Sequence, residues 1–132
     1  MDVYVWDASG GNPNNILSMT PGVNPGPIAI WPEISRHDID IDDTYVEGEY
    51  FVGEWGNWIV VGWYIAADEN GPADGLPRTN IAPGIGYPTG WNHPNVVFPH
   101  CHDLGIGTYE VETVVPVPVR GKSWGAVKNL YD

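Results

Sequence analysis

Only one cysteine, Cys101, occurs in the 132 residues, so no internal disulfide can staple the fold. Its presence alone says little about the redox compartment. Basic residues are also scarce: five Lys and Arg stand against 17 Asp and Glu, for a formal net charge of −12. That balance repels phosphates and anionic membrane surfaces, so nucleic acid is not an expected partner. It attracts cations and tolerates uncharged ligands, although solubility alone would also account for it. No apolar run approaches the roughly 20 residues that a spanning helix needs, so membrane insertion is not expected. An H-E-x-x-H pair and a phosphate-binding glycine loop are both missing. The commonest zinc-protease and nucleotide-binding readings therefore lose their motifs.

What is present is punctuation. Seventeen glycines and 13 prolines cut the chain into short pieces, and no helical period survives outside the tail. Short strands separated by turn residues predict an all-β fold, a jelly-roll-like antiparallel β-sandwich in a single domain. The domain is expected over 1–120, with a C-terminal tail at 121–132 in which Trp124, Val127 and Tyr131 have helical spacing. The expected centre is a hairpin within Glu47–Ala67, with one strand over Glu49–Trp55 and a turn at Gly56-Asn57. Its second strand, Trp58–Ile65, is apolar on both faces and reads as the central one.

Other expected strands are Val3–Trp6, Ile16–Met19, Ile28–Trp31, Val96–Phe98, Leu104–Glu112 and an edge segment over Val114–Val119. Asp7–Asn15 reads as a loop, and Asp68–Asn95 as a long irregular excursion of the kind that often carries function. Between Arg36 and Asp43 the period is two: Ile39 and Ile41 face inward while Asp38, Asp40 and Asp42 line the other face.

Four stretches carry a resemblance: Asp2–Leu17, His37–Trp58, Arg78–Trp91 and Ser123–Tyr131. Together they look like a β-sandwich module of large bacterial secreted and cell-surface proteins, which often end in sorting or anchoring segments. The most specific part is the loop Asn80–Trp91. The resemblance implies an extracellular or cell-surface setting, and a chain that starts late relative to an export signal. No leader is visible after Met1, and a composition rich in Trp, Tyr, Gly and Asn but poor in Lys also points to a piece of a longer secreted chain. The chain departs from the module's pattern at Pro99-His100-Cys101-His102.

Four constellations could carry chemistry. Seven tryptophans and seven tyrosines are more than one small core buries, and flat rings stack on sugar faces. Trp55, Tyr87 and Trp91, with Asn92 for hydroxyls, are the candidate ligand-binding residues. His100 and His102 point the same way on an extended chain, so both could reach one metal, with His93 and Glu110 as further ligands. Such a set suits Zn, Fe or Cu and bears an analogy to cupin sites. Asp38, Asp40 and Asp42, and Asp68, Asn70 and Asp74 in the long loop, offer oxygen ligands for Ca. Finally, Glu47, Glu49, Glu54, Glu110 and Glu112 could supply a carboxylate pair for glycoside hydrolysis.

These observations favour a non-catalytic extracellular module that binds carbohydrate or a partner module through exposed aromatics and the 80–91 loop. The alternatives are a small metal-dependent enzyme acting on polysaccharide, and a structural assembly subunit forming a homo-oligomer through its strand edges.

Overall fold

The computed structural model describes residues 1–27, 29–30, 32–56, 65–70 and 76–108. These residues form an all-β structure of antiparallel sheets with no α-helix. Among them, no helix is long and apolar enough to cross a membrane. The strands are β1 (Asp2–Ser9), β2 (Asn12–Thr20), β3 (Tyr50–Trp55), β4 (Ala67–Asp68), β5 (Thr79–Ile81), β6 (Gly90–Asn92) and β7 (Asp103–Leu104). They make a three-stranded sheet of order β2-β1-β3 and two small ribbons, β4-β7 and β5-β6. Face-to-face stacking into a sandwich is a finer statement than these strands make.

Sheet formation starts from alternation in β1. Val3 and Val5 point to one side and are buried, while Tyr4 and Trp6 share the other. β3 pairs with β1 in unbroken register over Asp2–Asp7, from Asp2 opposite Trp55 to Asp7 opposite Tyr50. β1 is thus the middle strand among those described, a place the sequence had suggested for Trp58–Ile65. All of that second hairpin strand except Ile65 lies outside the described residues, as do Val114–Val119 and the 121–132 tail.

The expected loop Asp7–Asn15 is instead a tight hairpin. Ser9 pairs with Asn12, and the two residues between them, Gly10 and Gly11, have φ of 59° and 73°. Two successive positive φ values are what a twist-matched two-residue turn requires, and glycine adopts them without steric penalty. β2 then carries two irregularities. Between Val5 and Trp6 the partner skips Leu17, and between Trp6 and Ala8 three steps on β2 face two on β1. At the second bulge the Asp7 carboxylate replaces part of the ladder, accepting from the Asn15 main-chain N–H at 2.6 Å and its side-chain amide at 2.9 Å.

Further along, the acidic stripe is not a ladder strand. Ile39 and Ile41 are nevertheless half-buried between exposed Asp38, Asp40 and Asp42, as the period of two requires. Of the expected Ile28–Trp31 strand, Ala29 and Ile30 are unpaired in any ladder, and Ile28 and Trp31 lie outside the described residues.

Among its described residues, the excursion over Asp68–Asn95 holds the end of β4 and the whole β5–β6 hairpin. Val96–Phe98 is not a strand either. Pro94 opens a 3-10 turn over Pro94–Val96, His93 caps it by accepting from the Asn95 N–H, and Val97 and Phe98 both donate to the Pro94 carbonyl. A proline at the first position and a side-chain cap outweigh the β propensity of two valines. Of the expected Leu104–Glu112 strand, the described residues pair only at Asp103–Leu104, with Gly105 still donating to the Ala66 carbonyl at 2.7 Å; residues 109–112 lie outside the described residues.

Two tests follow from this sheet. A Cβ at Gly53 would lie 3.1 Å from the Trp6 ring, so Gly53→Ala should lower stability by about 1–3 kcal/mol and change the near-UV circular dichroism of the Tyr4–Trp6 pair. The Asn15 side chain, followed by its main-chain N–H, holds the Asp7 carboxyl below its ordinary value of 3.8. A depressed carboxylate adds stability above that ordinary value and loses it as pH falls through the lower native one. Asp7→Asn should therefore be less stable than the parent at neutral pH, and the gap in denaturation midpoints should close on acidification.

Candidate functional site

Pairing in the three-stranded sheet gathers apolar side chains on the face opposite Val3 and Val5. Tyr4 pairs with Met19 on one side and Gly53 on the other, Trp6 with Ile16 and Phe51, and Asp2 with Trp55. Because successive residues of a strand alternate, Tyr4, Trp6, Phe51 and Trp55 share this face. The Tyr4 and Trp6 rings stack with centroids 5.1 Å apart and planes 15° from parallel. The Trp6 ring reaches over Gly53, where the absent side chain leaves it room. Tyr4, Trp6 and Phe51 are half-buried, whereas Ile16, Met19 and Trp55 keep 58%, 46% and 61% of their surface exposed.

A second element meets this face from its side. Trp91 on β6 sets its ring edge to face against Trp6, with centroids 5.7 Å apart and planes at 75°, a favourable arrangement of ring quadrupoles. Arg78, at the entry to β5, donates from Nε to the Asn12 side chain at 2.8 Å and from Nη1 to the Pro77 carbonyl at 2.9 Å. The β5–β6 ribbon is thereby joined to the first hairpin by one ring contact and one guanidinium.

Of the four aromatic-site candidates, Trp55 and Tyr87 are exposed. Trp91 is half-buried and engaged with Trp6, and the Asn92 amide donates to the Pro88 and Gly90 carbonyls, so it pins the 82–89 loop. Tyr4, Trp6, Phe51, Ile16 and Met19 were not among the candidates. The signal for them was present in the alternation of Val3-Tyr4-Val5-Trp6, which sets valines and rings on opposite faces.

The histidine candidates are placed individually. His93 uses Nδ1 to accept from Asn95 at 3.2 Å, so in that contact the ring nitrogen carries a lone pair rather than a proton. His100 and His102 are exposed on either side of Cys101, which is only 2% exposed; the Cys101 N–H donates to the Phe98 carbonyl at 2.9 Å, so His100 sits in a turn and not on the extended stretch expected. The His102 N–H donates to the Asp68 carbonyl at 2.8 Å and continues the β4–β7 pairing. Among the described residues, no three or more His, Cys, Asp or Glu side chains group closely enough to hold a metal ion. That statement covers His93, His100, His102, Asp38, Asp40, Asp42 and Asp68; Asp74 and Glu110 lie outside it.

Asp38 pairs with Arg36 at 3.0 Å on the surface, and the Asp68 carboxylate accepts from the Asn70 N–H in a local turn. Among the glutamates, burial pushes the Glu54 carboxyl above its ordinary value, opposed by the Met1 α-amino group. Glu47 and Glu49 are exposed, and Glu110 and Glu112 are outside the described residues.

No family model, curated protein or solved structure matches the chain.

Burial, followed by the carboxylates of Asp103 and Glu69, pushes the Cys101 thiol up, and its Sγ donates to the Asp103 carbonyl at 3.4 Å. The thiolate is the reactive form and is suppressed here. Cys101 should therefore react with a thiol-specific disulfide reagent only in denaturant, while rapid labelling of the native protein would contradict this packing.

Proposed function

We propose that the chain is a non-catalytic module of a secreted or cell-surface protein that binds carbohydrate through exposed aromatic side chains. The observation that carries the reading is Trp55. It is 61% exposed on a sheet face that it shares with Tyr4, Trp6 and Phe51. An exposed indole on a rigid strand presents a flat apolar surface at little entropic penalty, the arrangement that stacks against the apolar face of a sugar ring.

The binding surface in this reading is centred on the sheet rather than on the 80–91 loop. Tyr87, exposed on the loop beyond Trp91, would add a second contact. Binding by a partner protein module uses the same exposed apolar surface and is the broader form of the proposal. A jelly-roll-like sandwich would provide the stiff support such a face needs.

Trp55 lies at the end of β3 with most of its surface in solvent, so its removal should spare the fold. If a ligand covers about 100 Å² of the indole, about 25 cal/mol per Å² gives about 2.5 kcal/mol. Allowing for ordering of the ligand, Trp55→Ala should weaken retention on insoluble polysaccharide at least about tenfold, read from depletion isotherms. Unchanged retention in a folded Trp55→Ala variant would remove this face from consideration.

A further inference from the structure

We infer that the ligand of the aromatic face is an uncharged glycan, recognised by ring stacking and not by ion pairing; this rests on the carbohydrate-binding reading above. The three strands that build the face contain Asp2, Asp7 and Glu54 and no Lys, Arg or His. Asp2 shares the aromatic face, while Asp7 and Glu54 alternate onto the other. A uronate or sulfate ester approaching the aromatic face thus meets one carboxylate of its own sign and no cationic donor from these strands. Recognition of such groups calls for guanidinium or ammonium donors.

The two described arginines are already engaged. Arg36 pairs with Asp38 at 3.0 Å, and Arg78 donates to Asn12 and to the Pro77 carbonyl. Arg120, Lys122 and Lys128 lie outside the described residues, and even with them the chain has 17 acids against five bases. A field of that sign lowers the local concentration of a polyanion and leaves that of a neutral polymer unchanged.

The attractive side of the argument is the apolar content of the face. Trp55, Met19 and Ile16 are exposed around the half-buried Tyr4, Trp6 and Phe51. From Trp55 to the Trp6–Ile16 row the face runs about 14 Å along the strands and about 10 Å across them, by the ordinary rise and spacing of a sheet. A surface of this kind rewards a ligand with its own apolar faces. A second copy of the chain is a poor occupant, because each would bring a net charge of −12 to the contact.

The test is affinity electrophoresis of the full chain through gels containing a neutral β-glucan, a neutral xylan, polygalacturonate or chitosan, each at low and high salt. The expected result is retardation by a neutral polymer, unchanged by salt and lost in Trp55→Ala. Stronger retardation by polygalacturonate, or retardation by chitosan that Trp55→Ala abolishes, in either case relieved by salt, would overturn the inference and leave carbohydrate binding standing. A dimer that Trp55→Ala dissociates would also overturn it, by placing a second copy on the face. Retardation by none of the polymers would overturn the carbohydrate-binding reading itself and the inference with it. The comparison of neutral polymers with polygalacturonate is made on the unsubstituted chain, so it does not depend on how the variant folds.

Discussion

The Trp6 indole needs space above β3, and the sequence provides it by leaving position 53 without a side chain. Much of the described structure depends on that fit. Tyr4 stacks on one side of the indole, Trp91 approaches it from the β5–β6 ribbon, and the Gly53 backbone lies beneath it. Ring contacts of this kind add about 0.5–1.5 kcal/mol each beyond the area they bury. Here one of them also joins two elements separated by about two-thirds of the chain. The Arg78–Asn12 hydrogen bond makes the same connection a few residues away, with a directional polar contact beside a less directional apolar one.

The first hairpin shows how the chain reconciles a regular inner strand with an irregular outer one. β1 keeps perfect register with β3 and surrenders it twice to β2. At the second break the lost ladder bonding is taken over by a side chain: Asp7 reaches across to Asn15. A charged acceptor is stronger than a neutral carbonyl, so the bulge need not weaken the pair, and its strength becomes dependent on pH. Glu54, across the same sheet, tends the opposite way because burial disfavours its charged form.

Patterns of period two were legible in the sequence. Val3 to Trp6 and the Ile39–Ile41 pair show the burial alternation that their spelling implies, whereas Glu49 to Trp55 holds a strand of nearly uniform half-burial. Where punctuation was read only as loop, structure was missed. Gly10-Gly11 is itself a hairpin turn, and Thr79–Ile81 with Gly90–Asn92 are strands too short for periodicity to reveal. Val96–Phe98 was misread for a different reason: Pro94 and the His93 cap act locally and override propensity. Among site residues, Trp55 and Tyr87 are exposed. Trp91 did not remain a free ring, because its contact with Trp6 joins residues 85 positions apart, and no local pattern encodes such a pairing.

The two bulges in β2 also bear on how copies of this chain behave when crowded. β2 is the outer strand of the described sheet, and its nine residues include no Lys, Arg, Asp or Glu to keep another strand away. Fibrillar stacking requires a flat, evenly spaced row of donors and acceptors along such an edge. By skipping register at Leu17 and again between Ile16 and Pro13, β2 breaks that row into segments too short to template a growing cross-β ribbon. The irregularity protects the protein from itself where charge is absent.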